Sequence, residues 1–98
     1  MRSSSIKHLL LYILTGTRGG WTRAKIINSL KQKPSNIHQL SKELNLDYKT
    51  IQHHIKMLLK NHLISSLNQD SYARAYIISE ELEQNVEIFD DIWKRFGN

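Results

Sequence analysis

Between Asp47 and Asn61 runs Tyr48-Lys49-Thr50-Ile51-Gln52-His53-His54-Ile55-Lys56-Met57-Leu58-Leu59-Lys60, where cations, an amide and two imidazoles alternate with aliphatic residues. Set at about 100° per residue around a helix axis, Ile51, Ile55, Leu58 and Leu59 gather on one side. Lys49, His53, Lys56 and Lys60 fall roughly opposite, with Thr50 and Met57 at the margin. The chemistry open to such a face is recognition rather than bond-making. In a major groove about 12 Å wide, lysine meets guanine acceptors or phosphate, and His or Gln reaches base edges. Neighbouring side chains diverge by about 100°, so His53 and His54 do not chelate a metal by themselves, and His54, nearer the aliphatic stripe, reads as structural.

Catalysis finds no comparable constellation. The absence of cysteine excludes disulfides, thiolate zinc sites, iron–sulfur clusters and cysteine nucleophiles. Gly16 and Gly19-Gly20 lack the preceding strand and fixed spacing of a phosphate-binding loop. A serine triad needs a scaffold with room for a pocket, which a chain of 98 residues scarcely offers. The expectation is a protein that is not an enzyme and carries no cofactor.

Charge supports a polyanionic partner. The net value is +5, but residues 1–78 hold twelve of the fourteen Lys and Arg against Glu43, Asp47 and Asp70, a balance of +9. Residues 79–98 set Lys94 and Arg95 against six carboxylates, a balance of −4. A basic body suits nucleic acid, and an acidic tail belongs away from phosphate.

The elements that must position the cationic face can be read along the chain. Ile6 to Leu14 is too short, and too interrupted by Lys7 and His8, for a membrane span of about 20 residues. It also lacks a convincing cleavage site for a signal peptide. A packed helix over 3–15 is expected, nearly apolar all round and so needing partners on more than one side. Gly16–Gly20 reads as a flexible basic connector, and Thr22 as the N-cap of a helix carrying Ile26, Ile27 and Leu30 that ends before Pro34. Asn36 or Ser35 caps the next helix, with Gln39 placed for a capping box and Leu40 and Leu44 on its buried face. After the turn Asn45-Leu46, Asp47 caps the helix 47–61, with Leu46 and Ile51 spaced as a hydrophobic staple.

Beyond Asn61 the pattern changes to strand formers: Leu63–Leu67 and Tyr72–Ile78 flank Asn68-Gln69-Asp70-Ser71 as a hairpin, 63–78. Ser79 caps a final helix, 79–96, with Glu80 and Glu81 in its first turn, where the helix dipole favours them. Leu82, Val86, Phe89, Trp93 and Phe96 step by 4, 3, 4 and 3, the alternation of a coiled-coil seam, widened by Ile88 and Ile92. A chain this short buries only about two thirds of its unfolded surface, so a homodimer through this seam is expected. The alternative is that the terminal helices close the chain's own core.

The expected fold is one mainly helical domain with a small β-hairpin, and at this point a family resemblance enters. The run from Gln39 to Leu58, with its His53-His54 pair followed by Ile55 and Lys56, resembles the winged helix-turn-helix of ArsR-type repressors and short archaeal proteins of that kind. Gly19-Gly20-Trp21-Thr22-Arg23 resembles the archaeal group, and the similarity spans roughly 16–79. It implies a three-helix core plus wing with additional N- and C-terminal helices, acting as a dimeric transcriptional regulator that binds double-stranded DNA sequence-specifically, a repressor, in a cytoplasmic, archaeal setting. It places base contacts at Tyr48, Lys49, Gln52 and His53 and phosphate contacts at Thr50 and Lys56. The hairpin becomes the wing, with Arg74 its candidate contact and Gln69 and Ser71 weaker ones. The chain departs from the family in carrying Asn61-His62 where glycine is often found; Asn61 can adopt the left-handed cap conformation. ArsR-type proteins often sense metals through Cys and His. Glu83, Glu87, Asp90 and Asp91 instead read as the solvent face of an amphipathic helix, so no metal and no membrane partner is expected. The competing functions are a winged-helix protein-interaction module and a non-specific DNA-binding protein; an RNA partner is disfavoured by the lack of an aromatic stacking platform on a sheet.

Overall fold

The computed structural model describes residues 2–68 and 74–96. The elements are α1 (Arg2–Thr15), α2 (Gly20–Gln32), α3 (Ile37–Leu44), α4 (Tyr48–Lys60), β1 (Ile64–Ser66), β2 (Tyr76–Ile78), α5 (Glu80–Gln84) and α6 (Val86–Phe96). Helices dominate, and the two strands pair antiparallel, Ile64 opposite Ile78 and Ser66 opposite Tyr76. This is the expected fold class. Gln69, Ser71 and the start of the strand drawn from Tyr72 lie outside the described residues.

α1 resolves its all-round apolarity by packing on both α2 and α6. Ile6, Leu10, Ile13 and Leu14 are buried, while Tyr12 stands exposed. The chain then turns into α2 three residues earlier than a Thr22 cap would place it. Gly19 takes a left-handed conformation (φ 82°) as N-cap and makes no side-chain capping bond. Gly20 lies so close to α1 that a Cβ there would sit 2.2 Å from the Leu14 carbonyl oxygen. Backbone freedom and close helix approach set this start, so Thr22 falls inside the first turn and caps nothing.

The next two starts follow side-chain chemistry. Asn36 Oδ1 accepts from the Gln39 amide and Gln39 Oε1 accepts from the Asn36 amide, both at 2.8 Å, which completes the capping box. α3 ends on left-handed Asn45 (φ 57°). Asp47 then accepts from the Thr50 amide at 3.1 Å and from the Thr50 hydroxyl at 2.7 Å, starting α4. At the far end of α4 it is His62 (φ 59°), not Asn61, that takes the left-handed position. Asn61 remains at φ −96°, and its amide side chain donates back to the Met57 carbonyl at 2.9 Å. Histidine is among the non-glycine residues enriched in that region.

The hairpin is shorter than its strand formers imply, because only three residues on each side pair. Ser35 adds an isolated bridge to β2 from outside the hairpin: its amide donates to Tyr76 O at 3.2 Å, and the Tyr76 amide donates to Ser35 O at 2.9 Å. This ties the wing to the entrance of α3.

The C-terminal segment corrects the single helix expected over 79–96. Ser79 Oγ accepts from the Leu82 amide at 3.1 Å as foreseen, but the helix breaks at Asn85. The Asn85 side chain donates to the Glu81 carbonyl at 2.9 Å, and its backbone leaves helical geometry (φ −123°, ψ 26°). Asparagine's local bonding competes with helix continuation. α6 is held on α2 by the Lys31–Asp90 pair at 2.6 Å.

Candidate nucleic-acid interface

α4 presents the cationic face that its periodicity predicts. Ile51, Ile55 and Leu58 are at most 1 % exposed and pack into the common core, which fixes the depth of the helix. Lys49, His53, Lys56 and Lys60 are exposed on the other side, while Gln52 and Met57 are half-buried. His53, Lys56, Met57, Lys60 and Asn61 line a shallow open hollow along the C-terminal half. Tyr48 is exposed at the helix start with its ring 5.0 Å from that of His38 on α3, so it both faces solvent and leans on the preceding helix.

Thr50 is the candidate whose chemistry is already engaged. Its hydroxyl and its amide both donate to Asp47, and these two bonds hold the Asp47 carboxyl below its ordinary range. A threonine so committed shapes the turn and has one hydrogen fewer to offer a phosphate. Arg74 is half-buried, two residues ahead of β2 on the loop side of the hairpin. Gln69 and Ser71, at the tip, lie outside the described residues.

The residues proposed as a dimer seam divide between two roles. Leu82 and Phe89 are 0 % exposed within a single chain and belong to its own core. The seam's spacing presupposes a continuous helix, and the break at Asn85 removes that premise. Val86 and Trp93 are half-buried, and Phe96 is 61 % exposed. Trp93 stacks on Trp21 of α2 with ring centroids 4.6 Å apart. Beside this stack a hollow of about 230 Å³ is bounded by Leu14, Trp21, Ala24, Ile92 and Phe96.

One contributor was hidden in the sequence. Arg23 counts as one more cation of a basic body, yet it is 2 % exposed and its guanidinium is not presented at the surface. Its Nε donates to Ile13 O at 3.0 Å, and Nη2 donates to Arg18 O at 3.1 Å and to the Thr17 hydroxyl. Nη1 lies 3.2 Å from Nδ1 of His54 on α4. The connector read as flexible is therefore pinned from inside. The available signal was an arginine three residues beyond a Gly-Gly pair and ten beyond Ile13, with no carboxylate nearby in sequence.

With this geometry in hand, residues 21–66 match the profile of the bacterial regulatory protein, arsR family. The matched segment is similar to the arsR-family helix-turn-helix. It runs from α2 through β1 and contains every candidate base-contacting residue on α4. Reduced HlyU from Vibrio cholerae shares 18 % identity at a TM-score of 0.68, covering 100 % of this chain and 97 % of that one. A second structure of HlyU from the same organism gives 15 % identity and a TM-score of 0.65, with full coverage of both chains. MarR of Staphylococcus aureus, in complex with salicylate and kanamycin, gives 19 % identity and 0.64, covering 92 % of this chain and 61 % of that one. These likenesses establish the winged-helix fold. No curated protein matches the chain. Among the described residues, no group of three or more His, Cys, Asp or Glu is placed to hold a metal ion, and no helix is long and apolar enough to cross a membrane.

Proposed function

We propose that this arsR-family segment makes the chain a sequence-specific binder of double-stranded DNA, acting in the cytoplasm as a homodimeric transcriptional repressor. The observation that carries the reading is the division of α4. One face is sealed into the core, while Lys49, His53 and Lys56 project from the other immediately after a capped turn. In this reading Tyr48, Lys49, Gln52 and His53 read base edges, and Lys56, with a smaller share from Thr50, meets phosphate. Arg74 brings the wing toward the adjacent backbone. Phosphate contacts set register and affinity, and base contacts set specificity. Pairing of two copies through the α1 and α6 surfaces, where Tyr12 and Phe96 are exposed, would present two α4 helices to half-sites about one helical turn apart.

The test is a titration of two labelled duplexes, the region upstream of the chain's own gene and a scrambled control, at roughly 50 and 200 mM salt. Preference for the upstream duplex by about a thousandfold is the expected result. Equal binding of both, falling about a thousandfold across that salt range, assigns a non-specific DNA-binding protein instead. No binding at low salt leaves the protein-interaction module as the function of the fold.

A further inference from the structure

Aliphatic packing is non-directional: it sets how deeply α4 sits but constrains its rotation about its own axis only loosely. Hydrogen bonds are directional, and one crosses from the recognition helix to the α1–α2 corner, between Arg23 Nη1 and His54 Nδ1 at 3.2 Å. Arginine has no acceptor, so this contact requires a lone pair on Nδ1 and hence a neutral His54 with its proton on Nε2. The rest of the guanidinium is held by the Ile13 and Arg18 carbonyls and the Thr17 hydroxyl, all neutral groups. Ile13 lies in the last turn of α1, whose unpaired carbonyls form the negative end of the helix dipole.

The surroundings are built for this pair. A Cβ on Gly19 would stand 2.9 Å from His54 Cε1 and 3.3 Å from Arg23 Nη1, so the left-handed glycine makes room for both. The titratable groups facing His54 are Arg23 from α2 and His53 from its own helix, with ring centroids of the two histidines 5.3 Å apart. Tyr12 of α1 also acts electrostatically on Arg23. Burial first, then the charges of Arg23 and His53, push the His54 imidazole below its ordinary value of 6.5.

We propose that Arg23 is a positioning residue for DNA recognition: through a neutral His54 it fixes the rotation of α4 and so aims the adjacent His53, with Lys49 and Lys56, at the groove. The inference rests on the DNA-binding reading above. Protonating His54 removes the acceptor and sets two cations against each other inside the fold. Discrimination between specific and scrambled duplex is therefore expected to fall as the pH drops below 6.5.

The experiment compares wild type, Arg23→Met, Arg23→Lys and His54→Asn in duplex discrimination from pH 5.5 to 8 and, without DNA, in the imidazole nitrogen NMR signals and α4 amide shifts. Wild type should show an unprotonated Nδ1 on His54. Arg23→Met should lose about tenfold in discrimination, the scale of one charge-assisted hydrogen bond, with scrambled-duplex affinity little changed. Arg23→Lys, which keeps the charge but not the fork, should lose a similar amount, and it stands in if the Met variant fails to fold. His54→Asn offers Arg23 a non-titrating acceptor, so it should retain discrimination and flatten its pH profile. A protonated Nδ1 in wild type, or discrimination unchanged in both Arg23 variants, overturns the proposal. Should wild type bind neither duplex, the DNA reading fails by itself. The positioning role then stands if the Arg23 variants shift amides along α4, and falls if those amides are unmoved.

Discussion

Lys49 and His53, to which the proposed function gives the base contacts, project from α4 without supporting it. Alanine at either position should weaken specific DNA binding by about 1–3 kcal/mol for a base contact. Helical circular dichroism and the unfolding midpoint should be unchanged; loss of helix in either variant would contradict their outward placement. His54, one residue along, behaves oppositely, being buried and held neutral by its surroundings. With a folded-state pKa below the ordinary 6.5, it binds its proton more readily in the unfolded chain. Stability therefore rises with pH across that window. The contribution is complete above 6.5 and erodes as pH falls from there toward the depressed folded value. Denaturant melts of wild type and His54→Asn between pH 7.5 and 5 should diverge in that direction, and parallel curves would show that His54 does not titrate differently on folding.

The two residues also show what a sequence discloses. The outward cations follow from helical period alone, whereas Arg23 and His54 lie 31 positions apart and meet only through the fold.

Among the elements, those whose ends are set by side-chain chemistry were legible, and those set by backbone geometry were not. Asn36 with Gln39, Asp47 with Thr50, and Ser79 all cap where residue type and spacing indicate. The start of α2 was misplaced because Gly19 and Gly20 serve conformation and clearance, which leave no periodic signature. The break at Asn85 was missed because a 4-3-4-3 apolar pattern survives a one-residue interruption unchanged. The Ser35 bridge was missed because a single paired residue has no pattern at all. The same distinction ranks two substitutions. Asn36→Ala removes one partner of a capping box and should cost about 1 kcal/mol. Gly20→Ala forces α1 and α2 apart against the Leu14 carbonyl and should cost clearly more, in the 1–3 kcal/mol range typical of overpacking. Chemical denaturation of the two variants checks the order, and equal losses would mean that the α1–α2 contact yields freely.

At the scale of the whole molecule, the chain separates a basic body from an acidic segment, and α6 is stapled back onto α2 by Lys31 and Asp90. The sequence already contained this division of charge. It did not disclose that Leu82 and Phe89 serve the chain's own core, because burial within one chain and burial between two leave the same apolar stripe. Tyr12 at 60 % and Phe96 at 61 % exposure are the apolar side chains on α1 and α6 that remain free for a partner. Burying a residue such as Phe96 contributes about 1.5–3 kcal/mol, so in the proposed homodimer Tyr12→Ser with Phe96→Ser should raise the dissociation constant more than tenfold and leave the monomer folded. Sedimentation equilibrium reads this, and an unshifted constant would place the dimer contact elsewhere.

The central claim is that α4 is the surface that meets DNA. Its most direct test is the map of backbone amide shifts when the isotopically labelled chain is titrated with its upstream duplex. The account predicts perturbation concentrated from Tyr48 to Lys56 and in the wing near Arg74, with the α6 amides unaffected by the duplex at constant protein concentration. Shifts confined to α1 and α6, with Lys49, His53 and Lys56 unmoved, would contradict it.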